Sequence, residues 1–176
     1  MKLVFLDIDG VLNHHEWLKG RKGHKDPGIP AAFRDECEQW SARSIDPSCV
    51  QRLNRLTEAT GCRYVLSSTW RTMYHLPKLN SLLRYHGFNN ILVGTTPSMS
   101  GMPIRGIVPG ARRGTEIDAW LHEMALVDVT FIILDDDDDM APYEHRLIQT
   151  DFGTGLTDEH VETAIEMLGP KEDASS

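Results

Sequence analysis

The chain has 176 residues, 40% of them hydrophobic and 25% charged, with three cysteines and a formal net charge of −8. That length suits one domain with a substantial core and is short for two. The acidic balance speaks against a protein that coats nucleic acid, and no apolar run nears the roughly 20 residues of a membrane span. Cys37, Cys49 and Cys62 match neither a disulfide scaffold nor a CxxC metal site, so free thiols, mostly in the core, are expected. Without a secretory leader pattern at the N-terminus, cytoplasmic residence is the default expectation.

In chain order, the first element is the apolar run LVFLD at 3–7, of strand type, which turns polar at Asp7, Asp9 and Gly10. Residues 13–45 lack a long period and carry Gly20, Gly23, Pro27, Gly28 and Pro30, which mark a loop-rich insertion. A short helix around 31–40 fits inside it, enough for a flap over the first strand's end but not for a large cap. Lys19, Arg21, Lys22, His24 and Lys25 make a basic cluster there, either a solvated loop or a contact for a phosphorylated substrate. Asp46 before Pro47 is an N-cap signature, and Cys49, Val50, Leu53 and Leu56 continue one apolar face until Gly61. A second strand at 63–66 runs into Ser67, Ser68, Thr69, Trp70 and Arg71.

Leu76, Leu79, Leu82 and Leu83 predict the next helix, closed by Gly87, and 91–93 a short third strand. A second loop-rich tract fills 94–114. Thr115 with Asp118 resembles a capping box, and Ile117, Trp120, Leu121 and Met124 recur at helical spacing behind it. The continuous apolar run 129–134 fits a strand covered on both faces and ends in five aspartates, Asp135 to Asp139. A strand at 147–150 and a helix through Val161, Ala164, Ile165 and Leu168, ended by Gly169 and Pro170, complete a single domain over 1–170. Residues 171–176 are a frayed tail, and no internal repeat is present.

Alternating strands and helices predict an α/β fold with a parallel, doubly wound sheet, whose ligands bind beyond the carboxyl ends of the strands. Three of those ends are unusually polar: Asp7 and Asp9, Ser67 and Ser68, and Asp135 to Asp139. Carboxylates so gathered repel one another unless a cation neutralises them, and an oxygen-only donor set suits Mg²⁺. Asp7 is then placed to attack phosphorus, and Asp9 to protonate the leaving oxygen and later deprotonate water.

DIDGVL after an apolar strand resembles the first motif of the haloacid dehalogenase (HAD) superfamily of phosphohydrolases, and the other strand ends follow in order. YVLSS is similar to the second motif, whose hydroxyl binds the phosphoryl group, which implies that role for Ser67, with Ser68 as the alternate. Arg113 stands where the third motif carries a basic residue, more commonly lysine, and ILDDDDDM resembles the acidic fourth motif. Gly10 belongs to the first motif's phosphate-binding turn. More narrowly, LSSTWR, RRGTEIDAWL, ILDDDDDM and the late GLT resemble the HAD domain of Swiss Army Knife RNA-repair proteins, over nearly the whole chain.

That resemblance implies a three-layer Rossmann-like fold with a minimal cap and a Mg²⁺ site drawn from Asp7, Asp9, Asp135, Asp136 and Asp139. Two registers of the aspartates are open. Asp136 is the ligand if Asp135 replaces the glycine of the family's GD pattern, and Asp135 is the ligand, supported by Asp139, if the pattern is GDxxxD; the first is favoured. His14 and His15 are either leaving-group contacts or exposed loop residues. Trp70 is either a stacking face for a base or a core residue, and Arg71 a partner for a second phosphate. An open site favours a phosphate on a bulky molecule, a nucleic-acid end or nucleotide. The alternatives are a small-metabolite phosphatase and a non-catalytic module that binds phosphate or RNA ends. No obligate protein partner or membrane contact is expected.

Overall fold

The computed structural model describes residues 1–20, 33, 35–99, 112–126 and 128–171. Five strands, β1 (Lys2–Leu6), β2 (Arg63–Leu66), β3 (Leu92–Thr95), β4 (Thr130–Asp135) and β5 (Leu147–Gln149), form one sheet in the order β3-β2-β1-β4-β5. Every pairing is parallel. Six helices accompany them among the described residues: α1 (His15–Gly20), α2 (Glu36–Ser44), α3 (Pro47–Thr60), α4 (Leu76–Tyr85), α5 (Arg112–Glu123) and α6 (Asp158–Leu168).

The period-2 alternation of β1 explains the layering. Val4 and Leu6 enter one core with Tyr64, Leu66, Ile132 and Leu134, covered by residues of α3, α4 and α6. Leu3 and Phe5 enter the other with Val65 and Ile133, under Ile117 and Trp120 of α5. Phe5 meets the edges of Trp120 and Phe131 at ring-centroid distances of 5.6 and 5.4 Å, so this thinner layer is held mainly by aromatic packing. The result is the three-layer, all-parallel architecture that the sequence predicts. Among the described residues no helix is long and apolar enough to cross a membrane.

Helix α3 starts and stops where its caps predict: the Asp46 carboxylate accepts from Ser48 N, and Gly61 adopts a left-handed φ of 69°. Three helices differ from expectation. Helix α2 begins at Glu36 behind an Asp35 N-cap, a few residues later than the pattern suggested. Helix α1 falls in a stretch read as loop. It buries no residue and so leaves no apolar period, and it is anchored instead by His15 N and Glu16 N donating to Phe152 O and Gly153 O. Helix α5 starts at Arg112, which puts Thr115 inside the helix rather than at its cap; Arg113 N and Gly114 N donate to the Asp139 carboxylate and carbonyl.

The same junction explains Gly114, where any Cβ would overlap the carbonyl oxygens of Ala141 and Met140. Gly114→Ala is therefore expected to cost about 1–3 kcal/mol, because backbone cannot yield as a side chain does; urea unfolding checks it, and an unchanged midpoint would remove this contact from the argument. Strand β3 runs on through Gly94, which leaves room for the indole of Trp120. Cys49 and Cys62 are buried, Cys37 is exposed, and all three are free thiols. Most of the predicted flap and its basic cluster (residues 21–32 and 34), and the tract 100–111 with Arg105, lie outside the described residues.

Candidate active site

The sheet order makes β2, β1 and β4 neighbours, so their polar carboxyl ends converge. Asp7 extends the β1 ladder by one bond, its N–H donating to Leu134 O at 2.9 Å, and the chain then turns sharply. Ile8 is buried, and its carbonyl accepts from the N–H groups of Val11, Leu12 and Asn13, which fixes the turn. Gly10 has φ +73°, and a Cβ there would collide with the Asp136 carboxylate, so glycine serves both the turn and the approach of β1 to the β4 end. Thr150 Oγ1, just past β5, donates to Gly10 O at 2.8 Å and ties the turn to the next strand.

Asp7, Asp135 and Asp136 each offer a carboxylate oxygen within 4.8 Å of the others. Asp7 and Asp135 are almost fully buried. Burial pushes Asp7 up to about 6, against the pull of Arg113 and a hydrogen bond with Ser68. Burial, reinforced by repulsion from Asp7, pushes Asp135 up to about 8. Asp136 and Asp139 are raised as well, again chiefly by burial. Arg113 Nη1 lies 3.2 Å from both Asp7 Oδ1 and Asp135 Oδ2 and donates to Ser67 O. Burial would lower the guanidinium's pKa, but Asp135, Asp7 and Asp139 together raise it. One guanidinium shared by several acids leaves the pocket with excess negative charge.

Ser67 and Ser68 are both fully buried, yet differ in use. Ser68 Oγ accepts from Trp70 N at 3.4 Å and caps a short 3-10 turn, Thr69–Thr72. Ser67 Oγ has no hydrogen-bond partner among the described residues. A buried hydroxyl without a partner is uncommon, and the carbonyl of the same residue accepts from Arg113, which also pairs with Asp7.

Asp9 and Asp139 stand outside the three-carboxylate group. Asp9 accepts from Asn13 Nδ2 at 2.7 Å on one oxygen and from Trp70 Nε1 at 3.0 Å on the other. Asp139 caps α5.

The outer contacts expected of the sequence are engaged elsewhere. Trp70 is 1% exposed and presents no face to a base. Arg71 pairs with the buried Glu116 and donates to Ser68 O, so its charge is already matched. Its pKa is lowered, first by burial. His14 is buried rather than exposed, and both its ring nitrogens are engaged, meeting Gly153 O at 3.2 Å and Asp46 Oδ2 at 3.0 Å.

With Cys49, His14 and Asp46 form a second buried group of potential metal donors. His14 and Asp46 already pair with each other, and Cys49 Sγ donates to Leu156 O at 3.6 Å. Asp46 is lowered: its burial is outweighed by bonds from His14 and Ser48. Cys49 is pushed up to about 11 by burial, which keeps it a thiol. This group fastens the chain after the Asp7 turn to the start of α3.

Asn13, Glu116 and Thr150 were missed in the sequence. Glu116 had a signal, an acid next to Ile117 on the apolar face of α5. Thr150 closes a predicted strand, as the other polar residues of the site do. Asn13 had none, since only the tight turn brings it back to Asp9.

A family model described as the HAD domain in Swiss Army Knife RNA repair proteins matches residues 3–161. No curated protein and no solved structure matches the chain.

Proposed function

The chain belongs to the family of HAD domains in Swiss Army Knife RNA repair proteins, and from that premise we propose that it is a Mg²⁺-dependent phosphomonoesterase acting on a nucleic-acid end or nucleotide. The family implies a phosphohydrolase. The observation that carries the finer proposal is the Arg113 guanidinium pairing with Asp7 and donating to the Ser67 carbonyl at the joined ends of β1, β2 and β4, where the Ser67 hydroxyl has no hydrogen-bond partner among the described residues.

The donor set fits a hard divalent cation. Asp7, Asp135 and Asp136 supply oxygens only, burial and repulsion raise the first two, and Asp135 Oδ2, though 3.2 Å from the shared Arg113, has no hydrogen-bond partner among the described residues. Bound there, Mg²⁺ supplies the positive charge that keeps these carboxylates ionised and offsets the charge of an incoming phosphate. Asp136 is retained as a ligand, and Asp135 joins it.

The chain's own residues then divide the work. Ser67 Oγ–H and the Arg113 guanidinium hold the phosphoryl oxygens. An Asp7 carboxylate oxygen attacks phosphorus, and the bond from phosphorus to the leaving oxygen breaks as Asp9 gives that oxygen its proton. Asp9 next takes a proton from water, whose oxygen attacks the phosphorus of the aspartyl-phosphate. Inorganic phosphate leaves, and Asp7 is regenerated. The family's association with RNA repair favours an RNA end as the source of the phosphate.

Ser67→Ala tests the carrying observation. The hydroxyl bonds nothing among the described residues, so its loss should leave thermal stability unchanged, while kcat/KM falls about 10–100-fold, the worth of one hydrogen bond to a charged group. An unaltered kcat/KM would contradict it. A phosphate-release panel of 3′- and 5′-phosphorylated oligoribonucleotides, mononucleotides, phosphopeptides and sugar phosphates tests the substrate class. Highest kcat/KM on an oligoribonucleotide end is expected, and a clear preference for a sugar phosphate would overturn that choice.

A further inference from the structure

We propose that Trp70 is a positioning residue for the proton-transferring carboxylate of Asp9, acting through its indole N–H. The proposal rests on the role given to Asp9 above and deepens it. Trp70 Nε1 donates to Asp9 Oδ2 at 3.0 Å, and Asn13 Nδ2 donates to Asp9 Oδ1 at 2.7 Å. Each carboxylate oxygen thus has one donor among the described residues, and the rotation of the group about its Cβ–Cγ bond is fixed. Asn13 is held in turn, since its Oδ1 accepts from Gly10 N at 3.2 Å.

An indole can only donate, so a buried Trp70 gains nothing from Asp9 turned away and would lose its bond. The ring itself is immobilised. It is 1% exposed and meets the edge of Tyr74 at a centroid distance of 6.1 Å. The Tyr74 hydroxyl lies 2.8 Å from Ser41 Oγ and 3.2 Å from Cys37 Sγ on α2, so the insertion between β1 and α3 braces the indole from behind. Trp70 follows Ser67 by three residues, and the 3-10 turn capped by Ser68 carries the chain from the phosphate-facing hydroxyl to the indole. Phosphoryl binding and proton transfer are thereby set on one rigid turn.

The fixed orientation leaves each Asp9 oxygen a second lone pair, and proton transfer to the leaving oxygen must use one of these. A proton donor that wanders loses efficiency most where the leaving group needs the proton most. Phenyl phosphate and 4-nitrophenyl phosphate have similar shapes but leaving oxygens of very different basicity, and so serve as probes.

Trp70→Phe keeps a ring and deletes the donor. It should lower kcat on phenyl phosphate about tenfold more than on 4-nitrophenyl phosphate, with KM on both nearly unchanged. Asp9→Asn run alongside separates the two claims. If Asp9→Asn shows the leaving-group-selective loss and a folded Trp70→Phe does not, the proposal for Trp70 is overturned while Asp9 keeps its role. If Asp9→Asn shows no selective loss, or the wild-type protein turns over neither ester, the role of Asp9 falls and the proposal with it.

Hydrogen exchange of the Trp70 indole N–H, followed by NMR in wild-type protein and in Asp9→Ala, needs no Trp70 variant. Faster exchange in Asp9→Ala supports the bond, and equal rates overturn it.

Discussion

Asp7→Asn is expected to abolish phosphate release, by at least about a thousandfold as for other lost nucleophiles, and at pH 8 in a chelator to make the protein more stable than its parent. The two halves have one cause. Asp7 is 4% exposed, and its ionisation is opposed chiefly by burial, enough to raise its pKa to about 6 despite Arg113. The carboxylate proposed to attack phosphorus is therefore held at a cost to the fold, about 1–3 kcal/mol at pH 8. An amide keeps the shape and the buried contacts without that charge. A structural aspartate in a favourable ion pair would behave oppositely, since removing it would strand Arg113 and lower stability. Thermal unfolding and phosphate release on the same samples distinguish the cases.

The second large effect is a coupling between pH, Mg²⁺ and stability. Asp7 at about 6 and Asp135 at about 8 both lie above the ordinary 3.8. Between pH 4 and pH 8 the folded chain then binds more protons than the unfolded one, so in EDTA its stability falls as pH rises through that window. Asp46 and Asp158, both lowered, lose their stabilising contribution below it, which sets pH 5 as the natural lower comparison. Mg²⁺ competes with those protons. At a concentration of about 100 times its Kd it adds roughly 2.7 kcal/mol, and more of that appears at pH 8 than at pH 5. A melting temperature in EDTA that rises from pH 5 to pH 8, or a Mg²⁺ increment equal at both, would contradict this.

The fold was largely legible because its signals are local. Asp46, Pro47 and Gly61 delimit α3 by capping chemistry alone, and the apolar runs of β1 and β4 are buried on both faces, as their lack of alternation implies. The polar strand ends were legible for the same reason. What remained hidden depends on contacts far apart in sequence. Helix α1 has no buried face to leave a period, and the start of α5 is set by Asp139, 26 residues beyond Arg113. Nearness in sequence to Ser67 and Asp9 makes Trp70, Arg71 and His14 candidate substrate contacts, with a core place for Trp70 and an exposed loop for His14 as the alternatives. Their partners, Asp9 for Trp70, Glu116 for Arg71 and Asp46 for His14, are 61, 45 and 32 residues away. Chain proximity to a catalytic motif told where these residues lie, while the folded chain decided what they hold.

Glu116 illustrates how the site is built inward from such contacts. It takes Arg71 on one oxygen and Met99 N on the other, and so joins the turn after β2, helix α5 and the tract after β3. Arg113, one helical turn earlier on α5, reaches Asp7 and Asp135 from that anchored helix. The Arg113 guanidinium is thus placed by a helix that Asp139 caps and Glu116 ties to the turn after β2.

The decisive measurement is mass spectrometry of the protein acid-quenched during turnover of a phosphorylated oligoribonucleotide in Mg²⁺. A single phosphoryl group on the peptide that carries Asp7, absent in EDTA and absent in Asp7→Asn, is the predicted result. Phosphate release that proceeds without a modified Asp7, and survives in Asp7→Asn, would contradict the proposed chemistry.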